Sequence, residues 1–300
     1  MEAAADTRDH RAPGLDGLQL GLVAALLALA AGAWALTDGT MQGMDLGPGS
    51  DLGSLSFYVG AWVVMMAAMM FPSISPMVRT YALVQRSRYA RRGLGEPAAA
   101  IAAFVAGYLV TWTLFGIAAF GFFHLLQGLE IEAFSWDRGG PYLAGGVVLA
   151  AAVYQLTPLK DACLSRCRSP LDFLTERWRD GVGGATVLGL EHGAWCVGCC
   201  WALMAALFAL GVMSVAWMVF IAALIAAEKL FPSKRFANRG IAVLLAVLGL
   251  AVAFVPGSVP GLTMPGAAAA GMDHESDRVD HGAMGPEPAG MDHGPMMKDG

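Results

Sequence analysis

Side chains that bind soft metal ions gather in three short segments of this chain. The five cysteines occupy two of these segments, at Cys163, Cys167, Cys196, Cys199 and Cys200. Five is an odd number, and two tight groups are a poor disulfide framework, so the arrangement suits metal binding or redox chemistry better. On a helix, Cys163 and Cys167 are four residues apart and share a face. Two thiolates at that spacing can bind one soft ion, although two small buried residues are an equally good interpretation of this pair alone.

The second segment adds other ligand types to its three cysteines, and its members are Glu191, His192, Cys196, Cys199, Cys200 and Met204. On a helix, His192, Cys196 and Cys199 form one stripe, and Cys200 and Met204 line the adjacent face. The Cys196-x-x-Cys199 spacing occurs in thiol–disulfide exchange centres and in metal sites. Ionisable groups such as Glu191 and His192 are costly inside an apolar run and tend to be functional. A histidine hydrogen-bonded to a backbone carbonyl is the alternative for His192.

The third segment contains four methionines in two i, i+4 pairs, at Met65, Met66, Met69 and Met70. Thioether sulfur suits Cu(I), although methionine more commonly fills irregular gaps between helices. Three polar residues are predicted to support the site, at Gln155, Lys160 and Glu228. Lys229 is interpreted as a lysine whose head group extends to the membrane interface.

The elements that must position these residues are predicted to be transmembrane helices. The chain has 300 residues, 56% of them apolar and only 14% charged, and its mean hydropathy is +0.56. We expect an all-α, polytopic transmembrane helix bundle over residues 18–256, with a cytoplasmic segment at 1–17 and a disordered extracytoplasmic tail at 257–300. Seven spans are predicted, at Leu18–Leu36, Leu55–Val78, Ala98–Leu126, Tyr142–Leu156, Thr186–Leu210, Ser214–Ala227 and Gly240–Val255. The fourth and sixth are short for a bilayer, so each is expected to be extended or partly re-entrant.

Loop charges predict the orientation of the bundle. Lys and Arg concentrate in the segments after spans two, four and six, whereas Thr37–Ser54 is acidic and has no basic residue. The positive-inside rule therefore puts the N-terminus in the cytoplasm and the C-terminal tail outside. Ala33-Trp34-Ala35 resembles a signal-peptidase site, but the length of the first apolar run favours a retained anchor. In this orientation all the clusters reach a similar depth near the cytoplasmic face, which favours one composite site.

The C-terminal tail carries a second set of metal-binding side chains. They are Met272, His274, His281, Met284, Met291, His293, Met296 and Met297, with aspartates between them. Such a tract can bind copper in an oxidising compartment, where thiols would oxidise. A solvated low-complexity tail is the alternative.

Three segments resemble a family of bacterial multi-span membrane proteins of uncharacterised function that are described as predicted metal-binding integral membrane proteins. The segments are Trp62–Pro76, Tyr154–Pro170 and Gly189–Met204, followed by Glu228-Lys229. The resemblance implies a multi-span protein with a cysteine-containing metal site, and copper is the metal we expect. It does not cover the tail.

The sequence therefore predicts a membrane protein that acquires, relays or transports a soft metal ion, copper first and zinc or another soft metal second. A membrane thiol–disulfide oxidoreductase and a structural or assembly subunit of a membrane complex are the alternatives. No catalytic residue is assigned, and the chain is expected not to be an enzyme. Its expected partners are the lipid bilayer, the metal ion, and a metallochaperone or a subunit of a membrane complex. No basic stripe with interleaved aromatic residues indicates nucleic-acid binding.

Overall fold

The computed structural model describes residues 17–41, 52–92, 98–128, 139–212, 214–231, 233–260 and 262. These residues are α-helical apart from short turns and one 3₁₀ turn, which confirms the all-helical prediction for the described part of the chain. The helices are α1 (Gly17–Met41), α2 (Leu55–Arg91), α3 (Ala98–Gly128), α4 (Gly140–Tyr154), α5 (Pro158–Arg168), α6 (Pro170–Arg177), α7 (Gly181–Leu210), α8 (Val215–Leu230) and α9 (Lys234–Phe254).

Five of these helices are long and apolar enough to cross a membrane, namely α1, α2, α3, α7 and α9. Helices α4 and α5 form a pair that is bent by 67° and passes the same test when taken together. Helix α8 has 16 residues, which span about 24 Å at 1.5 Å per residue, and this is less than the roughly 30 Å of bilayer hydrocarbon. Length and composition therefore support five or six spans, and the seven-span topology with its orientation stays a prediction.

Helix α2 runs well past its predicted end at Val78 and stops at Arg91. The arginines that we expected in a loop after span two, Arg79, Arg86 and Arg88 among them, therefore lie on a helix. Pro72 and Pro76 both lie inside α2. Pro76 lacks the N–H that would bond to the Pro72 carbonyl, and Ser75 Oγ donates to that oxygen instead, at 2.9 Å. This local repair explains why the prolines do not end the helix.

The basic segment predicted as a loop between spans four and five is also helical, because it forms α5 and α6. Helix α5 carries a full set of terminal signals. Thr157 caps its N-terminus by accepting from the Lys160 N–H at 3.3 Å, and Pro158 follows at the first helical position. Asp161 lies in its first turn, and arginines lie in its last. These features set the point at which the chain turns between α4 and α5.

Helix α7 packs against α3, α4, α5 and α8, and its contact with α3 is the most extensive in the described structure. Glycines make this close approach possible. A Cβ at Gly189 would overlap the Phe104 carbonyl oxygen, and a Cβ at Gly193 would lie 2.7 Å from the Thr111 Cβ. Small residues at such positions let two helix backbones pack closely within a membrane.

Asp180 joins the end of α2 to the start of α7. It accepts hydrogen bonds from Trp178 Nε1 at 2.8 Å and from Arg92 at 3.1 Å, and Arg88 lies 3.7 Å away. The hydrogen bond from Trp178, followed by that from Arg92, lowers the pKa of Asp180 below its ordinary value. The stability that this contact contributes is therefore fully present above the pKa of Asp180 in the unfolded chain. It is lost as the pH falls through the lowered pKa of Asp180 in the folded protein.

The α3–α7 contact gives a matched pair of glycine variants. We expect Gly189→Ala to destabilise the protein by roughly 1–3 kcal/mol, because the added methyl group forces α3 and α7 apart. Gly183 lies on the same helix and has nothing within 4 Å of its Cβ position, so Gly183→Ala is expected to be neutral or slightly stabilising. Thermal unfolding of the detergent-purified proteins measures the difference. Equal unfolding temperatures for the two variants would contradict the packing argument.

Candidate metal centre

Three cysteines from two helices meet at one point inside the bundle. Cys167 on α5 and Cys196 and Cys199 on α7 have sulfur atoms that all lie within 4.8 Å of one another. The Cys167 and Cys199 sulfurs are 3.7 Å apart. Two thiolates bound tetrahedrally to one ion at about 2.3 Å stand about 3.8 Å apart, so this pair is already at the spacing that a shared ion requires.

Cys163, the other cysteine on α5, lies outside this three-sulfur group. Its sulfur packs on Gly198 of α7, where an added Cβ would lie 2.9 Å away. Tyr154 Oη at the end of α4 donates to the Gly198 carbonyl at 2.6 Å. Gly198 is therefore a contact point at which α4 and α5 meet α7, and Cys163 lies there rather than in the three-sulfur group.

Two polar side chains from other helices contact the Cys196 sulfur. Tyr108 Oη on α3 lies 3.2 Å from it, and Lys229 Nζ on α8 donates to it at 3.1 Å. The same ammonium donates to Ser73 Oγ on α2 at 3.3 Å. The interpretation of Lys229 as an interfacial lysine is therefore wrong: its head group points into the bundle, where a cation stabilises negative charge on sulfur.

Lys160 and Glu228 form a second buried charged pair beside the sulfurs. Both side chains are fully buried, and Lys160 Nζ lies 2.7 Å from Glu228 Oε2. The ammonium also donates to the Cys199 carbonyl at 2.5 Å, so it ties α5 to α7 and α8. Arg168 donates to the Glu228 carbonyl at 2.9 Å. Among the described residues, Glu228 Oε1 and the amide group of buried Gln155 have no hydrogen-bond partner.

The remaining sulfur atoms are buried around this centre. Cys200 Sγ lies 3.3 Å from Cys199 Sγ, although Cys200 is not a member of the three-sulfur group. The predicted methionines Met65, Met66, Met69, Met70 and Met204 are all at most 3% exposed. Met70 Sδ lies 3.9 Å from Ser73 Oγ, and Ser73 is in turn a partner of Lys229.

His192 and Glu191 are not brought to the sulfurs. His192 is buried among the rings of Phe173, Phe104 and Tyr108, with centroids 5.4, 6.0 and 6.1 Å away. Its Nδ1 has no hydrogen-bond partner among the described residues. Glu191 instead forms an ion pair with Arg179 at 3.1 Å and approaches Arg177 at 3.8 Å. The His192 ring packs against α6 and α3 and Glu191 pairs with arginines, so the helical stripe predicted from spacing is only partly realised.

The chain matches one protein family over residues 59–252, the PpoB2 family, which is described as a copper chaperone. The chain belongs to this copper chaperone family. No curated protein and no solved structure matches it. The expected membership of a metal-binding family is thereby confirmed, whereas the bacterial and multi-span parts of that expectation stay predictions.

The copper chaperone match covers the cysteines, the four clustered methionines and Glu228. The eight predicted ligands of the tail fall outside both the match and the described residues. Sequence reasoning missed Tyr108 and Ser73 as neighbours of the site, because neither is a typical ligand for a soft metal. A tyrosine hydroxyl within an apolar helix needs a partner, and this is the one signal that marks Tyr108.

The buried Lys160–Glu228 pair predicts strongly non-additive effects of substitutions at these two residues. Glu228→Gln leaves the Lys160 ammonium buried without its counter-charge, and breaking such a pair costs about 3–5 kcal/mol. The double variant Lys160→Met/Glu228→Leu replaces both charges with apolar groups of similar size and is expected to be more stable than Glu228→Gln. Thermal unfolding of the wild type, Lys160→Met, Glu228→Leu and the double variant completes a double-mutant cycle and measures the coupling. Additive effects would mean that the two charges do not depend on each other.

Proposed function

We propose that this protein binds Cu(I) as cargo within a membrane helix bundle, through the thiolates of Cys167, Cys196 and Cys199, and passes it to a partner. The observation that carries the proposal is the meeting of three sulfurs, from two helices, within 4.8 Å. Soft thiolate ligands suit Cu(I), and the copper chaperone family supports copper over other soft metals. Zinc is the second metal to consider, but structural zinc sites normally have four closed ligands.

The burial of the three cysteines suits a site that both protects and releases an ion. Cys196 and Cys199 are fully buried, whereas Cys167 is only partly buried. Cys167 also lies on the short helix α5, after the bend from α4. We infer that Cys167 is the ligand through which the ion enters and leaves, because it is the one member of the group that is not fully buried.

The proposed location is a bacterial inner membrane, with the sulfur site toward the cytoplasmic face and the Met/His/Asp tail outside. Support for the membrane comes from the five or six helices that have sufficient length and hydropathy. The tail would collect copper on the oxidising side, where thioethers and imidazoles persist better than thiols. The buried methionines of α2 and α7 would then lie between the tail and the thiolates.

Metal content tests the assignment of the ligands. Protein purified from copper-supplemented cells under anaerobic, reducing conditions is expected to carry copper that survives dialysis against a moderate Cu(I) chelator. The triple variant Cys167→Ser/Cys196→Ser/Cys199→Ser is expected to lose this copper, because a hydroxyl is a poor ligand for Cu(I). The matched control is Cys163→Ser, which changes a cysteine that packs on Gly198. Elemental analysis that finds equal copper in the wild type and the triple variant would reject the proposal.

One observation favours a second candidate, a membrane thiol oxidoreductase. The Cys167 and Cys199 sulfurs are 3.7 Å apart, and a modest side-chain movement would bring them to the roughly 2.05 Å of a disulfide. Copper handling predicts that rapid alkylation of intact cells traps both cysteines as thiols. A stable Cys167–Cys199 disulfide in protein that carries no copper would favour the oxidoreductase instead.

A further inference from the structure

The Cys199 sulfur has close sulfur neighbours on two helices, α5 and α7. Its Sγ lies 3.7 Å from Cys167 Sγ and 3.3 Å from Cys200 Sγ. The sulfurs of Cys167, Cys196 and Cys199 are mutually within 4.8 Å, but Cys200 does not belong to that group. Its sulfur is therefore more than 4.8 Å from at least one of the other two.

This geometry sets a limit on what one ion can bind. Two sulfurs that share an ion at about 2.3 Å can be at most about 4.6 Å apart, with the ion on the line between them. Without rearrangement, a single ion therefore cannot take Cys200 together with all three members of the group. The Cys199 sulfur, in contrast, is placed to contact an ion on either side, because a thiolate has lone pairs enough to bridge two soft ions.

We propose that the centre is dinuclear: one Cu(I) is bound by Cys167, Cys196 and Cys199, and a second by Cys199 and Cys200, with the Cys199 thiolate as the bridge. The inference rests on the proposed copper-binding function. Each thiol that binds gives up its proton to solvent, and copper remains Cu(I) throughout, so no electron acceptor is required.

Helix register places two buried thioethers near the level of the second ion. The rings of Trp62 on α2 and Phe208 on α7 are 5.8 Å apart. Lys229 donates to Ser73, eleven residues after Trp62 on α2, and to Cys196, which precedes Phe208 on α7. The two helices therefore run antiparallel. This register brings Met70 to the level of Cys200, and Met204 lies one turn beyond Cys200 on its own helix. Both methionines are fully buried, and their thioethers are the soft, neutral donors that Cu(I) accepts.

The charge of the cluster is compatible with a second ion. Cu(I) replaces the proton of the thiol that binds it, so a second ion at Cys200 leaves the net charge of the buried site unchanged. Lys160 and Lys229 lie beside the cysteines and offset thiolate charge whether one ion or two are bound.

Copper stoichiometry tests the inference. Full-length protein in detergent is titrated anaerobically with Cu(I) against a competing Cu(I) chelator, and bound copper is counted above the background of a variant with all five cysteines changed to serine. That background removes copper bound by the tail. We expect two ions in the wild type, one in Cys200→Ser or Cys200→Ala, and two in the control Cys163→Ser. Cys199→Ser, which removes the bridge, is expected to lose both ions from the cluster.

X-ray absorption of the fully loaded wild type gives a measurement that does not depend on any variant folding. A thiolate that bridges two ions with copper–sulfur bonds of about 2.3 Å predicts a copper–copper scattering distance of no more than about 4.6 Å. One ion in the wild type and in Cys200→Ser, or a wild-type spectrum without that copper–copper distance, would overturn the dinuclear centre and leave the proposed function standing. No copper above background in the wild type would overturn both.

Discussion

The interactions of the buried Lys160 ammonium hold the sulfur site together. It is fully buried, and it reaches Glu228 on α8 and the Cys199 carbonyl on α7 at 2.7 and 2.5 Å. A buried charge is tolerated only when its partners are close and well oriented. Together with the contact between Cys163 and Gly198, these bonds fix the register of α5 on α7, and this register brings Cys167 on α5 up to the cysteines of α7.

Helix α7 carries both the glycines that allow close helix packing and the cysteines of the site. One edge carries Gly189 and Gly193, which let α3 approach closely enough for Tyr108 to contact Cys196. Another edge carries the cysteines, which face α5 and α8. The glycines therefore contribute to the site, because a wider α3–α7 spacing would move the Tyr108 hydroxyl away from Cys196.

Charge balance explains why charged side chains lie next to the cysteines. Thiolates in an apolar bundle need compensating charge, and the two lysines, one on each side of the cluster, supply it to Cys196 and near Cys199. The proposed Cu(I) ion would bring one further positive charge to the buried site. The proposed exchange of this ion agrees with one partly buried cysteine, Cys167, beside two fully buried ones.

The sequence alone determined the features that depend on neighbours along the chain. Apolar runs predict the long helices, and the spacing of Cys196 and Cys199 puts both on one side of α7. Tertiary structure decided the rest: that Cys167 joins the group and Cys163 packs on Gly198, that Lys229 points inward, and that His192 lies among aromatic rings. Spacing sets the angle of a side chain around its own helix, whereas distances between helices depend on small residues and buried charges elsewhere in the chain.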